Sequence, residues 1–348
     1  MLIHPINQKR RDLNTLQLSS IKAFREDPEI SYDEIQCCPL CNASDFSDIA
    51  EYDQFGIECK TVTCNSCSLM FSKNQLTEKA TVIFYERYYR KIYEGVERAS
   101  FDHGFYKMLY NGWVSSVPKF ITKHSLVAEI GCGGGWNLLP FSRQGIPHWG
   151  FDYDSDMVEF GKNKYGLNLF VGGLPEAKAS GVDFDYIILS QVVEHLKDPV
   201  RFLSELRQCL KKRGLICITV PSLDYMHYFG GNSTHFDLEM NLQSAHNFVF
   251  GEFTLTALLR AAGYEPVLVL GGYALARPSK SNEVCPQAHE CSSITNNLVR
   301  SIKWTPLKYS VKRFMPSFIY DNIFARAFYF RRPIRTLKYF LITKLGVI

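Results

Sequence analysis

Two pairs of cysteines near the start of the chain have the spacing of metal ligands. Cys38 and Cys41 form one Cys-x-x-Cys pair, Cys64 and Cys67 form the other, and 22 residues separate the pairs. Four thiolates at this spacing suit tetrahedral zinc, which then has no open position and is structural. A redox pair, or cysteines placed by chance, is the alternative, and the adjacent Cys37 could shift the ligand set by one residue.

A second motif is a glycine-rich loop, because residues 129–135 read Glu-Ile-Gly-Cys-Gly-Gly-Gly between a predicted strand and a predicted helix. Glycine lets the backbone turn sharply and approach a ligand closely. A dinucleotide site needs a third glycine where this chain has Trp136, and Glu129 suits a cationic methionyl amine better than a pyrophosphate. The loop therefore favours S-adenosylmethionine over NAD, with a tight turn that binds nothing as the alternative.

A second carboxylate, Asp152, ends the next predicted strand, 23 residues after Glu129. An acid at that position can accept both ribose hydroxyls of a nucleoside. The alternative is an acid that only favours the start of the following helix.

From Ser125 onward, short β-rich runs alternate with segments of helical periodicity, and these elements must position the residues named above. Asp198 caps a helix that Pro199 begins. The predicted strands are 126–130, 148–152, 169–171, 185–190 and 215–220, and glycines that suit left-handed helix ends are Gly145, Gly166, Gly214 and Gly263. This pattern predicts a doubly wound α/β domain.

Residues 125–270 resemble the class I S-adenosylmethionine-dependent methyltransferases, through 129–135, Gly150-Phe151-Asp152, and 184–196 with Asp198-Pro199 behind it. The resemblance implies a mainly parallel seven-stranded sheet with one antiparallel strand. Family members often place an aspartate near the adenine amino group, where this chain reads Val171-Gly172-Gly173-Leu174. The expected cofactor-binding residues are Glu129, Gly131, Gly133, Asp152, Tyr153, Gly173, Leu174 and Gln191.

The succession of patterns predicts six segments. They are a leader (1–35), loosely held or forming one short helix; a zinc ribbon (36–75); a helical connector (76–120); the methyltransferase domain (121–275) with a lid insertion at 222–248; a linker (276–298); and a basic aromatic tail (299–348). The lid would overhang the carboxyl ends of the strands, where ligands bind in such sheets.

The ribbon, the aromatic run 84–89 and the core together resemble a bacterial family often associated with sugar and cell-surface glycan biosynthesis. No large second α/β domain of the kind found in its sugar C-methyltransferases follows the core, so we expect O-methylation. A sugar hydroxyl is weakly acidic and profits from a base, for which His195 and His246 are our candidates. Each histidine has a purely structural role as its alternative.

Charge is unevenly distributed, since residues 299–348 hold eleven Lys or Arg against only Asp321. Such a tail can lie on anionic lipid beside a lipid-linked acceptor, or it can pack as a basic helix on its own domain. RNA methylation is a second hypothesis, disfavoured because the rest of the chain is net acidic, and a noncatalytic ribbon partner protein is a third. We find no secretory signal or apolar run long enough to span a bilayer, and expect a cytoplasmic protein.

Overall fold

The computed structural model describes residues 13–97, 117–223 and 238–279. Its first element is the helix α1 (Thr15–Glu26), which begins with a capping box. Asn14 Oδ1 accepts from the Gln17 amide at 2.8 Å, and Gln17 Oε1 accepts from the Asn14 amide at 3.0 Å. α1 buries Ile21 and Phe24, so the segment predicted as a leader contains a packed helix.

Short antiparallel strands form the cysteine-bearing region. β1 (Tyr32–Glu34) pairs with β5 (Asn74–Leu76), while β2 (Phe46–Tyr52), β3 (Glu58–Cys64) and β4 (Met70–Ser72) form a separate sheet. Two turns flank β2 and β3 and carry the cysteine pairs, which is the architecture of a small zinc ribbon.

The helix α2 (Glu78–Ile83) continues as two π-helical turns, Phe84–Tyr88 and Arg90–Glu94. We call residues 78–94 the aromatic helix. α1 holds it from outside, because Phe24 packs against Phe84 with ring centroids 5.3 Å apart and Asn14 Nδ2 donates to Gly95 O at 2.9 Å. The leader thereby fixes an element that borders the site described below.

The remaining strands are β6 (Val127–Ile130), β7 (His148–Asp152), β8 (Leu169–Val171), β9 (Phe184–Ser190), β10 (Leu210–Thr219), β11 (Phe248–Val249), β12 (Tyr264–Leu270) and β13 (Tyr273–Pro278). The α-helices are α3 (Leu139–Arg143), α4 (Ser155–Tyr165), α5 (Leu174–Ala179), α6 (Pro199–Leu206), α7 (Leu238–Asn241) and α8 (Glu252–Ala261). Short 3-10 turns are Trp136–Leu138, Val193–His195 and Arg207–Cys209.

Seven strands form the central sheet in the order β12-β13-β10-β9-β6-β7-β8, and β13 alone runs antiparallel to both of its neighbours. Both faces are covered, as parallel sheets require. In β9, Ile187 and Leu189 face one core cluster while Tyr186 and Ile188 face the other. The predicted doubly wound, mainly parallel α/β fold is confirmed.

Two details differ from the sequence prediction. Gly145, Gly166 and Gly263 are left-handed, but Gly214 is not, because it lies inside β10 where the register against β9 shifts. The sheet runs to Pro278, three residues beyond the predicted boundary. Within the part of the chain that the structure describes, no helix has the length and apolarity to cross a membrane.

The ribbon sheet is completed by a strand from the methyltransferase segment. β11 pairs antiparallel with β4, placing Phe248 opposite Phe71 and Val249 opposite Met70. All four of these side chains are buried. The ribbon and the central domain therefore share one sheet, which the prediction of a separate segment did not include.

Candidate functional site

A cleft of about 2300 Å³ lies at the carboxyl ends of the central strands. Its floor is the point between β6 and β9 where the strand order reverses, the usual ligand position in open α/β sheets. The volume exceeds the roughly 300–1,000 Å³ of a typical small-molecule pocket, so a cofactor and an acceptor fit together.

The acidic side chain in β6 is buried at the floor of this cleft. Glu129 is 1% exposed, and its Oε1 accepts from Asn137 Nδ2 at 2.6 Å. Asn137 comes from the 3-10 turn after the glycine loop, and its Oδ1 is a buried acceptor with no hydrogen-bond partner among the described residues. Two acceptors side by side suit a ligand that is a cationic donor, and Asn137 was missed by the sequence analysis.

The carboxylate at the end of β7 holds the glycine loop. Asp152 Oδ2 accepts from the Gly133 amide at 2.6 Å, and its Oδ1 accepts from the Asp154 amide at 2.9 Å. Asp154 also pairs with Arg90 of the aromatic helix. Asp152 is thus fixed by backbone donors while it lines the cleft.

The first glycine of the loop makes a close approach that a side chain would prevent. Gly131 has φ of +74°, and a Cβ there would lie 2.6 Å from Cγ2 of Val192. Gln191, which precedes Val192 in the chain, is also left-handed, at φ of +57°. Its backbone amide donates to Thr219 O at 2.8 Å. A non-glycine residue in that region is strained, as is common at functional sites.

Tyr153, Gly173 and Leu174, which follow strands β7 and β8, also line the cleft. The Tyr153 ring packs over Gly173, because a Cβ at the glycine would lie 2.8 Å from the ring. Leu174 is buried, and the Gly173 amide donates to Glu176 Oε2 at 2.6 Å. The structure therefore brings all eight predicted cofactor residues to one cleft.

The aromatic helix forms another wall of the cleft, which the sequence did not predict. Tyr85 and Tyr89 line the cleft with ring centroids 5.0 Å apart. The signal for this wall was present as Tyr85 and Tyr89 at helical spacing, but sequence alone does not show what the helix packs against.

The two histidines predicted to be catalytic lie together, with ring centroids 4.8 Å apart. His195 lines the cleft, and its Nδ1 lies 2.9 Å from Ala245 O and 3.0 Å from the Tyr85 hydroxyl. His246 Nδ1 lies 3.0 Å from Asn241 O. Burial, with a smaller contribution from His195, lowers the pKa of His246 to about 3, so the ring is neutral at physiological pH.

One buried amide side chain fixes this pair. The Asn247 backbone amide donates to Glu194 O at 2.8 Å, and Asn247 Nδ2 donates to His195 O at 2.9 Å and Leu196 O at 3.2 Å. Asn247 directly follows His246, so the two histidine-bearing segments are locked in register.

Most of the predicted lid, residues 224–237, lies outside the described residues, and so does the tail 299–348. The described end of the lid contains His246, one member of the histidine pair, and Ser244, whose amide donates to the Tyr93 hydroxyl. Membrane contact through the tail therefore stays a prediction.

Asp53 is a buried carboxylate that accepts hydrogen bonds from three chain segments, one of which contains Ser244, two residues before His246. Asp53 is 2% exposed and accepts from the Phe55 and Ile57 amides at 2.8 and 2.9 Å. It also accepts from the Tyr93 hydroxyl at 3.0 Å and the Ser244 hydroxyl at 3.2 Å. Burial raises the pKa of Asp53 to about 6, against the lowering effect of these donors.

The four predicted zinc ligands converge. Sγ atoms of Cys38 and Cys67 are 3.5 Å apart, as are those of Cys41 and Cys64, and all four lie within 4.8 Å of one another. Cys37 is exposed and belongs to no such cluster among the described residues, so Cys38 is the member of this pair that joins the cysteine cluster.

The two cysteine turns repeat each other. The Asn42 amide donates to Cys38 O and the Ser68 amide donates to Cys64 O, both at 2.9 Å. Asn42 and Ser68 follow the second cysteine of each pair, and both are left-handed, at φ of 60° and 62°. The repeated turn aims two sulfurs from each side at one point.

Comparison with known proteins agrees with this geometry. Residues 107–269 match the family model described as Methyltransferase domain. The chain carries a class I S-adenosylmethionine-dependent methyltransferase domain. The matched range includes the glycine loop, Asp152 and the segment that bears His195 and His246.

Curated relatives share this domain. The chain is 32% identical over 150 residues to a ubiquinone biosynthesis O-methyltransferase of Ruegeria sp. (strain TM1040), covering 40% of this chain and 60% of that protein. It is 29% identical over 149 residues to a probable S-adenosylmethionine-dependent methyltransferase of Mycolicibacterium smegmatis, covering 42% and 54%. The match thus spans little more than half the length of each relative.

Solved structures with partial similarity include an O-methyltransferase family protein from Burkholderia thailandensis, at 14% identity and a TM-score of 0.39, covering 59% of this chain and 61% of that one. Another is an S-adenosylmethionine-dependent methyltransferase from Aquifex aeolicus, at 21% identity and a TM-score of 0.36, covering 48% and 88%.

Proposed function

We propose that this protein transfers a methyl group from S-adenosylmethionine to a hydroxyl oxygen of a sugar or cell-surface glycan precursor. The observation that carries the proposal is the arrangement of one cleft. Glu129 and Asp152 lie at the carboxyl ends of adjacent strands, one residue before the end of β6 and at the last residue of β7, and His195 lines the same cleft.

The residues present fit the cofactor. Glu129 and the unpartnered Asn137 Oδ1 suit the ammonium of its methionyl group, and Asp152 suits its ribose hydroxyls. Gly131 lets the glycine loop pass directly against Val192, where a Cβ would lie 2.6 Å from Cγ2. When bound, S-adenosylmethionine supplies an electrophilic methyl group.

The chain's own contribution is to position the acceptor and assist the loss of its proton. In-line methyl transfer gains most of its rate from holding the two reactants at attack distance. His195 lines the cleft, with His246 packed against it, so a histidine is available where an acceptor hydroxyl must give up a proton.

Two lines of support bear on the acceptor. The names of relatives such as the Ruegeria protein favour oxygen as the methylated atom. The resemblance of ribbon, aromatic run and core to glycan-associated methyltransferases favours a sugar, and Tyr85 and Tyr89 offer ring faces on which a sugar can stack. The same faces suit a quinone precursor, the second candidate, which the relatives' names support.

We also propose that the four cysteines bind a structural zinc ion. Sulfurs around tetrahedral zinc at ~2.3 Å lie roughly 3.8 Å apart, close to the separations in this cluster. Four protein ligands leave no open position for chemistry.

The test is transfer of labelled methyl groups from S-adenosylmethionine to a panel of nucleotide sugars, lipid-linked glycans, quinone precursors and RNA. We expect label in a sugar or glycolipid fraction with wild type and with Glu159→Ala, an exposed acid away from the cleft, but not with Glu129→Ala. Label only in quinone precursors or RNA would transfer the assignment to that acceptor. Cofactor binding without any transfer would support a noncatalytic partner protein instead.

A further inference from the structure

Beyond the cysteine cluster, a second group of ligand-type side chains converges in the described part of the chain. One carboxylate oxygen of Glu194 and one ring nitrogen each of His195 and His246 lie within 4.8 Å of one another. We propose that Glu194, His195 and His246 form a binding site for a divalent first-row metal ion. Two histidines and one carboxylate are a common ligand set for such ions.

The hydrogen bonds of both rings fix the tautomer that a metal requires. Nδ1 of His195 lies 2.9 Å from Ala245 O, and Nδ1 of His246 lies 3.0 Å from Asn241 O. A carbonyl oxygen only accepts, so each Nδ1 carries the proton and each Nε2 of a neutral ring carries a lone pair. Histidine ligands of metals are typically oriented in this way, through a carbonyl at the other nitrogen.

The third ligand supplies negative charge in a buried position. The Glu194 side chain is 1% exposed, and its Oε1 lies 4.0 Å from His195 Nε2. Burying a carboxylate is costly, and a bound cation offsets that cost. Ligands at ~2.0–2.2 Å from one ion lie about 3.4 Å apart. The three ligand atoms lie within 4.8 Å of one another, so metal binding requires separations to shorten by at most about 1.4 Å.

The scaffold around the three groups is rigid. Asn247 bonds to the backbone oxygens of Glu194 and His195, and directly follows His246 in the chain. This one residue holds both ligand-bearing segments, as expected of a preformed site rather than a chance approach of side chains.

Three protein ligands leave coordination positions open, in contrast to the cysteine cluster. His195 lines the cleft, so an open position there is accessible to an acceptor hydroxyl, whose pKa the cation would lower. This role rests on the proposed function and makes the histidines ligands rather than bases. The metal site itself is independent of the acceptor's identity.

The experiment measures metal binding alone. Full-length protein is stripped with chelator under reducing conditions, titrated with Co²⁺, and analysed by elemental analysis and visible absorption. Cobalt at the cysteines gives an intense thiolate charge-transfer band, whereas cobalt at Glu194, His195 and His246 gives only weak bands. We expect wild type to bind a second cobalt ion of the weak-band type.

Glu194→Gln and His246→Gln should each lose the second ion and keep the thiolate band. His148→Gln, which removes a histidine on β7, should retain both ions. Wild type that binds cobalt only with the thiolate signature would overturn the proposal, as would an unchanged second ion in both variants. If the variants fail to fold, the wild-type count and spectrum still decide. Failure to find a methyl acceptor leaves this readout unaffected.

Discussion

Replacing Asp152 by Asn should weaken cofactor binding more than it weakens the fold. The carboxylate accepts from the Gly133 and Asp154 amides and faces the cleft. Asn keeps one carbonyl oxygen, so one backbone bond survives, but the charge and the second acceptor are lost. The acceptors needed for the two ribose hydroxyls are therefore no longer all present.

The magnitude follows from the hydrogen bonds involved. A hydrogen bond to a charged group contributes about 1.5–3 kcal/mol, so the loss of one such bond and of the charge should cost about 2–3 kcal/mol of binding. That corresponds to a dissociation constant raised about 30- to 150-fold. The lost backbone bond should lower the free energy of unfolding by about 1–2 kcal/mol.

Calorimetric titration with S-adenosylhomocysteine measures the first effect, and chemical denaturation without ligand measures the second. Asp183→Asn is the matched control, because Asp183 is exposed and does not line the cleft. A dissociation constant within about threefold of wild type, for folded Asp152→Asn, is incompatible with the ribose role. It would indicate that Asp152 only supports the glycine loop.

Gly131→Ala should reduce cofactor affinity at least tenfold, because the new Cβ would lie 2.6 Å from a methyl group of Val192. The control is Gly145→Ala, where φ is +67° and nothing lies within 4 Å, so the substitution only destabilises the left-handed backbone, by about 1–2 kcal/mol. Equal losses of affinity in calorimetry would contradict the steric argument. Asp53 has its pKa raised from 3.8 to about 6 by burial, so the folded state holds a proton that the unfolded state releases. This stabilisation is fully present below pH 3.8 and is lost as pH rises through 6. The free energy of unfolding of wild type relative to Asp53→Asn should therefore fall by about 2.4 kcal/mol from pH 4 to 7 in urea titrations. A difference that does not change with pH refutes the raised pKa. Cys64→Ser should abolish stoichiometric zinc in elemental analysis and slow methyl transfer, because β11 of the ribbon sheet directly follows the histidine segment. Cys37→Ser should retain zinc, and its loss there would mean that the ligand set is misassigned.

The sequence determined the central domain well because its signals are local. Each of the strands that end at Ile130, Asp152 and Ser190 is a short β-rich run closed by the residues that start the next turn. Once those runs are parallel neighbours, Glu129 and Asp152 must reach the same edge of the sheet. The Cys-x-x-Cys pairs are local for the same reason, since each turn presents its own two sulfurs.

Local signals failed where a residue's conformation depends on its neighbours in space. Gly214 sits after a helical pattern, yet β10 passes through it because pairing with β9 continues on either side of the register shift. Likewise, only the folded turn shows that Cys38 is buried in the cysteine cluster whereas Cys37 is exposed.

Only the tertiary structure decided the acceptor side of the cleft. His195 and His246 are 51 positions apart, and no periodicity links them; Asn247, next to His246, brings them together by donating hydrogen bonds to the backbone oxygens of His195 and Leu196. The aromatic helix reaches the cleft because α1 holds it from outside, and β11 completes the ribbon sheet although it follows β10 in the chain. Local patterns specify which backbone conformation a segment adopts, whereas contacts between distant segments depend on the free energy of burying their surfaces together, which no single segment encodes.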